Sequence, residues 1–251
     1  MPPGNAIPNL ALVIGTLVNA AAIVAGGSAG LVTRGELPVY HQKRLKLVLG
    51  VFLVFAGLSQ VWHAANGGVR RVLLLFVAVF GALVLGRFLG GRLGVQRFLN
   101  RFGRFAKERI AAAPAVGPRR FSVGFTVCAA LFCLEPLAVL GAVPDGLTGD
   151  YRPLLLKSVM DGLTAMALVR TLGWGVLVSA LPVFALQGTL WLGARGLAPW
   201  LEQRQLVDAI SAADGLLVFS VALVVLQLRR LPLADYLPSL VLAPVLAWLL
   251  R

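Results

Sequence analysis

Lys157 and Asp161 stand four positions apart in "LLLKSVMDGLTAMALV", residues 154–169, a stretch that is otherwise apolar. Side chains at that spacing share a helix face and can pair. If Pro153 opens the helix, a position proline tolerates, Lys157 lies about 6 Å in and Asp161 about 12 Å in, at ~1.5 Å per residue. Half of a ~30 Å hydrocarbon core is about 15 Å. Asp161 therefore falls close to a membrane midplane, and the lysine stem can reach back towards the surface. Two roles fit. Either the pair ties helices together, or Asp161 takes up a proton or Na⁺, with Lys157 as its charge partner or as a contact for an anion. An acid at that depth needs a compensating partner, which makes it a functional candidate.

Glu135 is a second acid at midplane depth, some way into a run that begins near Ser122, and Pro136 follows it in "FCLEPLAVLG". Proline removes a backbone donor and clashes one turn back, so a kink or break is expected, with a carbonyl freed near Phe132. That carbonyl beside a carboxylate could hold a small cation; a protonated Glu135 bonded to a neighbour is the alternative. "VDAISAADGLLVF" adds Asp208, Ser211 and Asp214. Asp208 is expected to cap its helix, whereas Asp214 lies deeper. Asn19 and Gln187 fall within apolar runs, where each could coordinate a solute or bond between helices, and Pro182 suggests another discontinuous helix. Catalytic readings fare poorly. His41 and His63 lack paired ligand spacing, and no metalloprotease, nucleophile-elbow or phosphate-loop pattern is present. Asp161 with Glu135 is a remote fit to an intramembrane aspartyl protease. Cys128 and Cys133, five apart, point in different directions on a helix and read as small buried hydrophobes. The expectation is a protein that is not an enzyme, with no catalytic residues, no metal centre and no cofactor beyond a coupling ion, H⁺ or Na⁺.

These residues need a membrane around them. Of 251 residues, 59% are hydrophobic and 13% charged, with a mean hydropathy of +0.87. Soluble domains are about 45–50% apolar and about 25% charged, so the fold class is an all-α polytopic membrane protein. Apolar runs fall near 10–32, 45–62, 72–91, 122–143, 153–171, 174–194, 207–228 and 235–250. That makes about eight transmembrane segments, or seven plus a re-entrant piece. The leader "MPPGNAIPNL" has no positively charged region, so the first run reads as a span and not as a cleavable signal. The net charge of +13 lies between apolar runs, as a cytoplasmic-loop bias requires, and argues against nucleic acid.

Arg87, Arg92, Arg97, Arg101, Arg104, Lys107, Arg109, Arg119 and Arg120 cluster between the third and fourth runs. Placing them in the cytoplasm also places Arg34, Lys43, Arg44, Lys46, Arg170, Arg229 and Arg230 there, and leaves Asp145 and Asp150 in an acidic outer loop. Both termini then lie outside. Phe98, Phe102 and Phe105 form a helical stripe beside Arg97, Arg101 and Arg104. That pattern fits a helix on the membrane surface with guanidiniums on lipid phosphates, or a plain extension of the third helix. The chain divides into an N-terminal membrane half (1–96), a basic amphipathic helix and linker ending in "AAAPAVGP" (97–120), and a C-terminal membrane half (121–251). "VIGTLVNAAAIVAGGSAGLV" is echoed by "ALQGTLWLGARGLAPWL", which raises the possibility of an inverted repeat with broken helices, a plan of secondary transporters. Ala22, Gly26 and Gly30, and Gly86, Gly90 and Gly94, make small faces for close helix packing, within one subunit or between two.

Several stretches, in order, span nearly the whole chain: "GTLVNAAAIVAGGSAGL" (15–31), "LFC" (131–133), "DGLTGDYRPLLLKSVMDGL" (145–163), "LGWGVLVSALPVF" (172–184), "QGTL" (187–190) and "LPSLVLAPVL" (237–246). Together they resemble an uncharacterised bacterial membrane family of the YqgA and YdfK type. The resemblance implies an integral protein of the bacterial inner membrane and carries a transport label without a substrate. It places Asn19, Lys157, Ser158, Asp161 and Gln187 at family-motif positions, and makes Glu135, Pro136 and Asp214 departures. The leading expectation is a proton- or sodium-coupled carrier of a small solute, a homodimer, with a site of Asn19, Lys157, Ser158, Asp161 and Gln187, and with Glu135 and Asp214 as further ion contacts. An ion channel and a non-transporting, lipid-interacting scaffold are the other readings.

Overall fold

Lipid offers no partner for a free backbone N–H or C=O, so a chain this apolar must satisfy its backbone within its own helices. The computed structural model describes residues 13–33, 38–114 and 117–250, and all regular structure among them is helical. The helices are α1 (Ile14–Val32), α2 (Val39–Ala64), α3 (Val69–Leu93), α4 (Val95–Ala111), α5 (Pro118–Leu134), α6 (Pro136–Thr148) and α7 (Arg152–Leu172). After them come a short α8 (Gly175–Val178), α9 (Ala180–Gln203), α10 (Val207–Val225), a 3-10 turn (Leu233–Tyr236) and α11 (Ser239–Leu249).

Five helical stretches are long and apolar enough to cross a membrane: α1, α2, α3, the continuous Gly175–Gln203 and α10. α5 and α6, bent by 58° at their junction, make a sixth if counted as one span. The protein is a multi-pass membrane protein. Eight segments go beyond what helix length and composition support. α7 is long enough but carries Arg152, Lys157, Asp161 and Arg170, and α11 covers only 11 residues. The break expected at Glu135–Pro136 is present. The one expected at Pro182 is milder: Pro182 sits in the first turn of α9, just after the step from α8.

Large apolar side chains cover the outside. Phe52 and Phe55 of α2, Phe80 and Val84 of α3, and Trp248 of α11 are all exposed, whereas Lys157, Asp161 and Asp214 are buried. Polar inside and apolar outside is the arrangement lipid selects.

Small residues set which helices touch. α1 runs parallel to α7, with Gly26 against the Gly162 carbonyl and Gly30 against that of Met166. α2 and α10 cross where a Cβ at Gly57 would fall 2.5 Å from the Gly215 carbonyl oxygen, and one at Gly215 would fall 2.6 Å from that of Gly57. Gly86 packs on Ser239 and Gly90 on Asp235. Both small-residue faces are thus used inside one subunit. Gly94 instead takes a left-handed conformation (φ 70°) that turns the chain from α3 into α4.

At one end of the bundle Arg71 meets Asp208, Gln60 meets Asp150 and Arg152 meets Ser59. At the other end Arg170 reaches Thr33, Arg87 reaches Tyr236, and α4 packs on α5 and the 3-10 turn. The basic residues grouped in the sequence gather at this second end; Arg34 lies outside the described residues.

α4 does not present a uniform phenylalanine face. Phe102, Ala106 and Ile110 pack on a core with Val127, Phe132 and Val169, whereas Phe98 and Phe105 are exposed. Arg101 and Arg104 are exposed, and Arg97 donates to the Gly91 carbonyl. Asp208 does not cap α10. The helix begins after Leu206 with no side-chain cap, and Asp208 instead pairs with Arg71 Nη2 at 2.7 Å.

Overpacking costs about 1–3 kcal/mol. Gly57→Leu should therefore lower the melting temperature of the detergent-purified protein by several degrees. Gly188→Ala, which meets nothing within 4 Å, should leave it unchanged or slightly higher. Equal behaviour of the two would contradict the α2–α10 crossing.

Candidate functional site

The site begins with the break in the α5–α6 pair. Pro136 starts α6, and Glu135 precedes it in an extended conformation (φ −66°, ψ 131°) without a side-chain bond to the helix end; its carboxylate turns to α7 instead. α7 passes alongside with Lys157 and Asp161 one turn apart on the face towards the protein interior. Lys157 Nζ lies 2.8 Å from Glu135 Oε2 and 2.8 Å from Asp161 Oδ2, and it donates to Asp161 Oδ1 at 3.0 Å. The lysine side chain is 0% exposed, that of Asp161 3% and that of Glu135 30%. One ammonium between two carboxylates leaves a net charge of −1 when all three are ionised. Sequence reading expected the i,i+4 pair but not the direct Glu135–Lys157 bond, because nothing in linear spacing links positions 22 residues apart.

Ser158, Asn19 and Gln187 complete the neighbourhood in different ways. Ser158 Oγ donates to the Leu154 carbonyl at 2.7 Å, so its proton is used within its own helix. Asn19 Nδ2 donates to Gln187 Oε1 at 3.2 Å, joining α1 to α9, and the Asn19 amide also faces the Asp161 carboxylate. Asn19 Oδ1 and Gln187 Nε2, both buried, have no hydrogen-bond partner. Roughly one turn further along the same helices, Thr16 Oγ1 and Trp191 Nε1 are also buried and unpartnered, as is Asp145 Oδ2 on α6. Buried polar atoms are normally satisfied. A row of donors and acceptors without protein partners can take water or a small polar solute.

Thr16, Trp191 and Asp145 are additions to the sequence-derived set. Asp145, expected in an acidic outer loop, lies inside α6 and is 4% exposed, close under Gly15 of α1. The apolar–glycine surroundings of Asp145 ("AVPDGLTGD") were the available signal; its small neighbours let helices close over it. Asp214 does not join this group. It sits on α10 next to the α2 crossing, fully buried. Arg97 and its neighbours on α4 are at the basic end. Among the described residues, no group of three or more His, Cys, Asp or Glu side chains could hold a metal, and Cys128 and Cys133 are free thiols.

Residues 14–248 match the family described as "Protein of unknown function (DUF554)". The chain belongs to the DUF554 family. Similar full-length proteins include the "Uncharacterized membrane protein YdfK" of Bacillus subtilis strain 168, 27% identical over 237 residues, 94% of this chain and 96% of that protein. The "Uncharacterized protein YqgA" of Escherichia coli strain K12 is 29% identical over 239 residues, 94% of this chain and 98% of that protein. No solved structure matches. The YqgA and YdfK resemblance read from the motifs therefore holds along nearly the whole DUF554 chain.

The triad makes unequal demands on its members. Removing one partner from a buried ion pair typically costs about 3–5 kcal/mol because the other charge is left uncompensated. In this DUF554 protein Lys157→Leu strands two carboxylates, whereas Asp161→Asn leaves Lys157 paired with Glu135. Denaturation in detergent should show Lys157→Leu as the more destabilised variant, with much of the loss recovered in Lys157→Leu/Asp161→Leu/Glu135→Gln. If Asp161→Asn proves as damaging as Lys157→Leu, the shared-lysine arrangement is wrong.

Proposed function

We propose that this protein is a small secondary transporter, a proton- or sodium-coupled carrier of a small solute, with its site at the Lys157–Asp161–Glu135 centre. The observation that carries this reading is the Lys157 ammonium buried between two carboxyl groups, one buried and one partly exposed, at a broken helix beside the unpartnered amide atoms of Asn19 and Gln187; with all three ionised the group carries one excess negative charge. A proton or Na⁺ on Asp161 neutralises the excess and leaves Lys157 to Glu135. Loss of the ion returns the lysine to both acids. Asn19 and Gln187 offer one acceptor and one donor to the solute, and Ser158 shapes the wall.

Contacts of α2 with α10 and of α3 with α11 are compatible with two inverted halves moving against each other, the usual form of alternating access. In this reading the basic end faces the cytoplasm of a bacterial inner membrane, and both termini face outward. α7 and α11 serve as further crossings, Arg97, Arg101 and Arg104 meet lipid phosphates, and two copies form a homodimer.

In proteoliposomes containing a pH-sensitive dye, an imposed Na⁺ or solute gradient should drive proton or solute movement that saturates, drawing on a panel of amino acids and small organic acids. Asp161→Asn should abolish it. Flux that survives Asp161→Asn would remove the central acid from the mechanism, and conductance far above carrier turnover would favour a channel. A phenotype that follows changes at Arg97, Arg101 and Arg104 but ignores Asp161→Asn would favour a lipid-interacting scaffold. For orientation, single cysteines at Gly103 and Gln203 in a background lacking Cys128 and Cys133 should label from the cytoplasmic and outer sides respectively. The opposite pattern would invert the topology.

A further inference from the structure

α7 is packed unevenly. On one side Gly26 and Gly30 of α1 lie against the Gly162 and Met166 carbonyls. On the side facing α2 and α10, a cavity of about 550 Å³ opens between the three helices. Next to its lining residues Leu49 and Val225, α2 and α10 touch through Gly50 and the Leu226 side chain.

The lining of this groove is sorted by polarity. Met160, Leu163 and Ala167 recur at the spacing of a single face of α7, and with Leu49 and Val224 they make an apolar wall. Gln42, Lys46, Arg170 and Gln227 line the other part of the groove, at the basic end of the bundle. Thr164 donates its hydroxyl to the Met160 carbonyl at 2.8 Å, within its own helix. From Met160 to Arg170 the wall runs about 15 Å at ~1.5 Å per residue, half of a ~30 Å hydrocarbon core. That is the depth of one leaflet. Thr164 and Ala167 are exposed, so the groove is open along its side.

Charge at the mouth has one sign. Lys46 and Arg170 line the groove, and no acidic side chain does. Lys46 enters no salt bridge among the described residues. Arg170 is fixed at the mouth by α1: its Nε donates to the Gly30 carbonyl at 3.3 Å and its Nη2 to the Thr33 carbonyl at 3.1 Å. A soluble anion would match this mouth but leave the apolar wall uncovered. An uncharged lipid would match the wall alone.

We propose that the groove between α2, α7 and α10 binds one anionic phospholipid of the leaflet at the basic end. Its phosphate meets Lys46 and Arg170, and one acyl chain lies along Leu49, Ala167 and Leu163 towards Met160. Basic pockets between membrane helices hold such headgroups in general. A second copy of this chain suits the groove less well, because a two-fold interface there would set the same cationic mouths against each other. The groove lies on a different face of α7 from Lys157 and Asp161, and the proposal does not depend on their centre being a transport site.

Native mass spectrometry of the detergent-purified full chain, titrated with phosphatidylglycerol or phosphatidylcholine of matched chains, reads the affinity of the first bound lipid. Phosphatidylglycerol should be preferred about tenfold or more. Excess glycerol phosphate should not displace it. Lys46→Gln should weaken phosphatidylglycerol about fivefold, the usual effect of one cation beside a headgroup, and leave phosphatidylcholine unchanged. Ala167→Trp, which fills the groove without altering charge, should weaken both lipids. Arg101→Gln/Arg104→Gln on α4 should leave the first lipid in place. Lys46 and Ala167 are exposed, so both variants should fold, and gel-filtration profiles check this. Equal affinity for the two lipids, or a preference that survives Lys46→Gln, would overturn the proposal. Undiminished binding in folded Ala167→Trp would do so too, as would loss of the first lipid in Arg101→Gln/Arg104→Gln, which moves the site to α4. Displacement by glycerol phosphate would make the groove a plain anion pocket, and a lipid-free dimer that Ala167→Trp dissociates would make it a subunit interface; either contradicts the proposal. None of these readouts involves flux through the Lys157 centre, so the two readings fail separately.

Discussion

The ammonium of Lys157, buried between Glu135 and Asp161, is the constraint around which this bundle is organised. A lysine cannot be left alone in a lipid-surrounded interior, and here two acids from different parts of the chain meet it at 2.8 Å. The second acid reaches it only because the chain breaks at Pro136 and bends by 58°. The broken helix, the position of α7 inside the bundle and the approach of α1 are therefore linked through one ion triad. α1 can come close enough to present Asn19 because Gly26 and Gly30 lie directly against the α7 backbone.

Helix packing in lipid gains little from hydrophobic burial between helices and relies on close contact of small residues. The reciprocal Gly57–Gly215 crossing shows the consequence. Two backbones approach to the limit of contact, and the polar side chains beside them, Gln60 and Asp214, are sealed in without enough partners. The Lys157 neighbourhood repeats the pattern, with Gly15 over Asp145 and unpartnered atoms on Asn19, Gln187, Thr16 and Trp191. Tight glycine crossings and under-satisfied polar groups occur together in both places. In a structure that could have packed Leu and Val there, that coincidence favours a site over scaffolding at the Lys157 centre.

Much of this was legible from residue types and spacing. Composition decided the membrane class, Pro136 announced the break, and the four-residue interval announced the Lys157–Asp161 pair. Helical phase on α4 was only half informative. Phe98, Phe102 and Phe105 look equivalent in sequence, yet the turn at Gly94 directs α4 so that Phe102 meets the core and the other two do not. Asp208 preceded an apolar run as a cap does, but the partner that claimed it, Arg71, is 137 positions away. The same holds for Glu135 with Lys157, and for Asp145, whose burial depends on α1 closing over it. Contacts between distant segments are set by three-dimensional packing, for which periodicity carries no signal.

The central claim is that Asp161 binds something and is not only a strut. The most direct measurement is the melting temperature of the purified protein and of Asp161→Asn across a panel of cations, amino acids and small organic acids, since a ligand of the folded state raises stability by mass action. The account predicts a ligand-dependent rise in wild type that disappears in Asp161→Asn. A wild type unmoved by every ligand, beside a variant that simply melts lower, would make the triad a structural tie and contradict it.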